Sequence, residues 1–296
     1  MSTGLLLAGL ALLAEPSAPA APPPAELPIV VQGVHDRDRK ISNFIRDLTP
    51  APVHGQLSRF DAPVCPAVAG LAREKADFIV GRMRRVAAAA RIRVAQEGCE
   101  PNVILIVAQD KKRLLKQLEQ YRPEYFPANW SSWHIHDLEH DPSTVAAWQF
   151  EGELWADGRA IDSGVTGSGI RDIGELQQTT EAQSRLKPSA RHAFLTSVVV
   201  VQANALDGLT TTQLADYAAM RAFVRTDPQK LRSSGADTIL GVIDAPVGSS
   251  IPLTLTAWDL SFLRAFYASS NNSYAEYQRS EMQRLMKREL DKAQQQ

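Results

Sequence analysis

Asn102-Val-Ile-Leu-Ile-Val-Ala108 is an unbroken apolar run of strand length, and Lys111-Lys-Arg-Leu-Leu-Lys-Gln-Leu-Glu-Gln-Tyr121 follows it almost directly. The first lacks the alternation of a half-exposed strand, so it predicts a strand covered on both faces. In the second, Leu114, Leu115 and Leu118 recur at helical spacing and predict a helix with one inward face. Upstream, Ala72 to Arg93 sets Ala76, Ile79, Val80, Met83, Val86 and Ala87 on one helical face, with Arg82, Arg84 and Arg85 mostly opposite as a solvated basic face. Helix, buried strand, helix predicts the α/β class, or α+β, with a mixed sheet packed by amphipathic helices.

Outward from this unit the pattern continues. Ile41, Phe44, Ile45 and Leu48 predict a helix over 39–48 that Pro50 ends, and 56–64 reads as extended. Ser131 to His140 reads as a short helix stopped by Pro142, Thr144 to Phe150 as an edge strand, and the glycine-rich stretch 158–174 as a long loop. The β-branched run within Ala193 to Gln202 predicts a central strand. Thr210 with Gln213, and Thr256 with Asp259, have the spacing of capping boxes opening helices to about Arg225 and Tyr267. A last amphipathic helix is expected over 273–290. The expected organisation is one globular domain over 35–296, with a possible internal boundary near 155–192.

The composition is that of a folded protein: 296 residues, 44% hydrophobic and 22% charged, which excludes disorder of the whole. A net charge of -1 supplies no field that would draw the chain onto nucleic acid, so no nucleic-acid partner is expected. The apolar run Gly4 to Ala14 followed by small residues has signal-peptide character over 1–15, although no Lys or Arg precedes it. A misassigned start or a buried helix is the other reading of that segment. The run is too short to cross a hydrocarbon core of roughly 30 Å, so no transmembrane span is expected in the mature chain. Pro and Ala dominate 16–34 as a linker. The expected location is periplasmic or secreted. In such a compartment Cys65 and Cys99, the two cysteines of the chain, are expected to form a disulfide, with two buried thiols as the alternative.

Candidate chemistry starts at His134-Ile-His136-Asp137-Leu-Glu139-His140. His136, Glu139 and His140 spell His-x-x-Glu-His, which resembles the motif of inverted zinc peptidases, in which two histidines one turn apart hold zinc and the glutamate is the base. The resemblance covers five residues and implies zinc as cofactor of a hydrolase, although Pro142 cuts the helix that such a motif needs. Thr166-Gly167-Ser168-Gly169 has neither the context of a nucleophile elbow nor the lysine of a phosphate-binding loop.

A broader pattern covers about the last hundred residues: a strand over 196–202, the capped helix from Thr210, the turn Asp237-Thr-Ile-Leu-Gly241, then Leu255-Thr256-Ala-Trp-Asp259 opening a helix through Tyr267. This order is similar to the C-terminal half of zincin metallopeptidases. The resemblance puts Ala215, Asp216 and Ala219 where those enzymes carry His, Glu and His, and no histidine follows His192. It therefore implies a zincin-like scaffold without its metal, similar to exported proteins of Gram-negative bacteria with such a degenerate half. The expected function is non-catalytic binding of a protein or small ligand in the groove a peptidase would use, near Asp216, Tyr217 and Arg221. The alternatives are the zinc hydrolase on His136, Glu139 and His140, and a structural module of envelope assembly.

Overall fold

The structure, a computed structural model, describes residues 32–50, 55–155, 158, 188, 190–227, 230, 237–246 and 248–294. The expected signal peptide, nearly all of the linker and most of the glycine-rich loop lie outside these residues. The fold is α/β, as the sequence predicts. In chain order the elements are α1 (Gln32–Leu48), β1 (Arg59–Phe60), β2 (Pro66–Ala69), α2 (Arg73–Ala89), β3 (Val103–Ala108), α3 (Lys111–Tyr121), α4 (Ser132–His140), β4 (Val145–Trp155), β5 (Ala190–Gln202), α5 (Thr211–Phe223), α6 (Ala257–Ala268) and α7 (Ala275–Ala293).

The five strands of the described residues form one mixed sheet. β5 pairs in parallel with β3 over Ser197 to Gln202 and with β1 at Ala193 and Phe194, while β4 runs antiparallel along its other side from Val145 to Trp155. β2 extends the sheet beyond β3, also in parallel. Strands on both sides of 155–192 thus pair with each other. Alternate residues of β3, β4 and β5 feed two separate cores. Val103, Leu105, Val199 and Val201 pack with α1, α2, α5, α6 and α7, whereas Ala146, Trp148, Val198 and Val200 pack with Leu115 of α3 and Ile135 of α4.

The capping boxes form as read: Thr210 accepts from the Gln213 amide and Thr256 from the Asp259 amide. α2 ends four residues earlier than its apolar pattern predicts. Arg91 takes φ 64°, and the Arg91 and Ile92 amides bond back to Ala88 and Ala87, a Schellman closure that stops the helix whatever follows. Arg82 and Arg84 also depart from the expected solvated face. Arg82 binds Asp216 of α5, and Arg84 reaches the Ala95 carbonyl. Between β2 and α2, Gly70 takes φ +85° with Val107 so close that a Cβ would lie 1.9 Å from its carbonyl oxygen. Only glycine fits there.

Cys65 and Cys99 are bridged, their Cα atoms 6.1 Å apart. The bridge ties the residue before β2 to the approach to β3, closing the β2–α2–β3 unit across 34 residues. Replacing both cysteines with alanine is expected to lower the free energy of unfolding by about 3–4 kcal/mol through the entropy of the released loop. Urea denaturation checks this, and thiol titration of the denatured, unreduced protein should find no free thiol.

Candidate functional site

The residues that the zincin resemblance singles out are consumed by the core. From Gln213 to Phe223 every residue of α5 is buried, Ala215 and Ala219 completely. Asp216, also fully buried, accepts two hydrogen bonds from Arg82, from Nε at 2.7 Å and Nη2 at 2.9 Å. The Thr254 hydroxyl and the Leu255 amide add two more at 2.8 and 2.7 Å. The hydrogen bond to Asp216 raises the Arg82 pKa and keeps the guanidinium charged. Tyr217 is buried beside Arg221, and burial raises its phenol pKa. Asp216 is therefore a structural group that knits α5 to its neighbours, and Tyr217 and Arg221 are buried with it, so the three do not form an exposed cluster. A carboxylate holding four donors leaves an uncompensated arginine when it is removed, so Asp216→Ala is expected to destabilise the fold by about 2–4 kcal/mol, measurable by chemical denaturation.

Asp259 does similar work between α6 and the 3-10 turn Ile239–Gly241. It accepts from the Thr238 hydroxyl at 2.6 Å and from the Ile239 and Thr256 amides at 2.9 and 3.0 Å. Burial outweighs these bonds and raises its pKa. The folded protein then holds this proton more tightly than the unfolded chain, so the stability it contributes falls as pH rises above about 4 through the folded pKa. Asp259→Asn, although less stable itself, should lose that slope; a stability difference from the native chain that stays flat with pH would contradict the sign.

Around the His-x-x-Glu-His motif, His136 and the buried Glu139 line one pocket with Glu119 and Trp133, but the two histidines do not present their nitrogens to a shared centre. The rings of His136 and His140 stack face to face with centroids 3.9 Å apart, so their in-plane nitrogens do not aim at a common point. His140 Nδ1 contacts the His136 carbonyl at 2.9 Å and its Nε2 lies 3.2 Å from Lys112 Nζ. Among the described residues no group of three His, Cys, Asp or Glu side chains is arranged to hold a metal ion. These residues do not fit zinc, which needs three protein ligands around one centre. The double variant His136→Ala/His140→Ala is expected to leave the metal content of the purified protein unchanged by elemental analysis.

The opposite side of α4 has a different character. A cleft of about 420 Å³ lies between α4 and β4, lined by Trp130, His134, Asp137, Leu138, Asp141, Ala147, Trp148, Gln149 and Arg225. Trp130 stacks on His134 at 5.6 Å, and the His134 Nδ1 accepts from the Ser131 amide, which fixes the ring. Beneath them Trp148 donates its indole N–H to the Tyr125 carbonyl at 2.8 Å. The turn from α4 into β4 is pinned by Lys111, a buried ammonium that donates to the Asp141 and Ser143 carbonyls at 2.8 and 2.6 Å. Desolvation lowers its pKa. At the far end Arg225 pairs with Glu151 at 2.8 Å and approaches the Gln149 carbonyl oxygen of the side chain at 3.5 Å.

One wall of this cleft is unpaired backbone. The Gln202 amide donates to the Thr144 carbonyl, which makes 144 and 202 a hydrogen-bonded pair. With the register Ala147↔Val199 and Gln149↔Ser197, the antiparallel alternation turns the N–H and C=O groups of Ala147 and Gln149 away from β5. The Ser197 amide agrees, since it bonds Asn102 on the β3 side. Among the described residues no strand pairs with β4 on that outer side. A second cavity, of about 270 Å³, lies behind the bulge at Phe150 and Glu151 and is lined by Leu57, His192, Phe194, Phe266 and again Arg225.

Sequence reading finds β4 as an edge strand but assigns the cleft no role. Trp130, Asp141 and Arg225 carry no motif, and the signal that could reveal them is the pairing of an edge strand with a short polar helix just before it. Comparison with known proteins adds no relative: no family model matches the chain, and no curated protein or solved structure matches it.

Proposed function

We propose that this chain is an exported, non-catalytic protein that binds an extended peptide segment by strand addition along β4. The observation that carries the reading is the outward-facing backbone of Ala147 and Gln149 lining a cleft of about 420 Å³. Main-chain hydrogen bonds of an added strand supply affinity without requiring a particular sequence, while the cleft beside them receives side chains. The disulfide supports an oxidising compartment, periplasmic or extracellular. The degenerate zincin-like reading of the last hundred residues draws support from the order β5, α5, the turn Ile239–Gly241 and α6. On that reading Ala215 and Ala219 stand where metal ligands would be, and a scaffold that once cut peptides would retain only their binding.

Amide exchange tests this directly. Adding a ten-residue Thr/Val-rich peptide is expected to slow exchange at Ala147 and Gln149, while Ala146 and Trp148, already bonded to β5, change little. Ala147→Pro removes one outward N–H at a position where an edge strand tolerates proline, and it should weaken peptide binding about tenfold with the fold intact by circular dichroism. Exchange at Ala147 and Gln149 that is indifferent to peptide would end the strand-addition reading.

A further inference from the structure

The cleft also carries a charge pattern that strand addition alone does not require. Asp137 and Asp141 stand one helical turn apart on its rim. The Asp137 side chain is 81% exposed, with His136 Nδ1 4.0 Å away, and among the described residues no lysine or arginine pairs with it. Asp141 is held in place, since its Oδ1 accepts the Ser143 amide at 2.7 Å and its carbonyl accepts Lys111. The cations nearby are already committed. Lys111 is buried against backbone carbonyls and its charge also faces the Asp141 carboxylate, Lys112 faces His140, and Arg225 is neutralised by Glu151 at the other end of the cleft, which leaves Asp137 as the rim carboxylate with no lysine or arginine beside it among the described residues. Behind the carboxylates stand Trp130, Trp148 and Leu138, an apolar wall long enough to cover the methylenes of a long side chain.

We infer that the α4–β4 cleft selects a basic side chain, lysine or arginine, from the strand that adds to β4; this rests on the strand-addition reading. The stem lies along Trp130 and Leu138, and the charged head meets Asp137 and Asp141 at the rim. The partner is accordingly an extended segment with a lysine or arginine that lands beside Trp148, whose side chain lies on the same face as Trp130 and Leu138. A glutamate there would face two carboxylates and be rejected.

Three fluorescein-labelled Thr/Val decapeptides, identical except for a central lysine, norleucine or glutamate, separate the two claims by fluorescence anisotropy. The lysine peptide is expected to bind about fivefold more tightly than the norleucine peptide, with the glutamate peptide weakest. That preference should shrink at high salt and disappear in Asp137→Asn, whose exposed position leaves folding undisturbed. Asp137→Lys should reverse it toward the glutamate peptide. Equal binding of the lysine and norleucine peptides, with amide protection at Ala147 retained, would overturn the basic pocket and leave strand addition standing. Failure of all three peptides to bind would overturn both.

Discussion

The backbone of β5 is buried for most of its thirteen residues, and buried N–H and C=O groups must be bonded. Its β-branched run cannot satisfy them as a helix without loss of side-chain freedom, and as a strand it needs neighbours on both sides. β3 and β1 share one side end to end, and β4 must supply the whole of the other. β4 runs antiparallel to β5, and among the described residues no strand pairs with its other side, so it is the last strand of that side. The free edge is thus a consequence of how the central strand is completed.

The same demand for satisfaction explains why α5 carries no site. Its position against the sheet and α2 buries every side face, so a carboxylate at Asp216 is tolerable only with its full complement of donors. Arg82 provides the charge and the residues Thr254 and Leu255 the rest, which joins α2, α5 and the entry to α6 in one network. Polar residues in a degenerate motif read as ligand-binding from sequence because pattern gives their type but not their burial.

Local signals proved legible and non-local ones did not. The bounds of α3 and the two capping boxes depend on residues within one turn of each other, and they lie where the sequence puts them. α2 outran its true end because a run of alanines has no visible stop, and the closure at Arg91 is a backbone conformation that residue type scarcely signals. The Arg82–Asp216 pair spans 134 residues, which no spacing reveals. In α4 the histidine motif drew attention to one face of the helix, yet those rings stack on each other, and the side chains that line the cleft are the less conspicuous Trp130, Asp137 and Asp141.

An open strand edge invites unwanted pairing, and proteins blunt such edges with charge, bulges or cover. On β4 those devices are unevenly placed. Below the irregularity at Phe150 and Glu151, the exposed Glu153, the Glu151–Arg225 ion pair and the bulge itself discourage another strand. Above it, at Ala147 and the buried Gln149, the side chains are uncharged and both residues line the cleft beside α4. Guarding half of an edge and leaving only the half that lines the cleft confines any added strand to a few residues. A short segment gains only a few main-chain bonds, so the side chain it places in the cleft must decide which segments bind, and the carboxylates of Asp137 and Asp141 are the groups in position to do so.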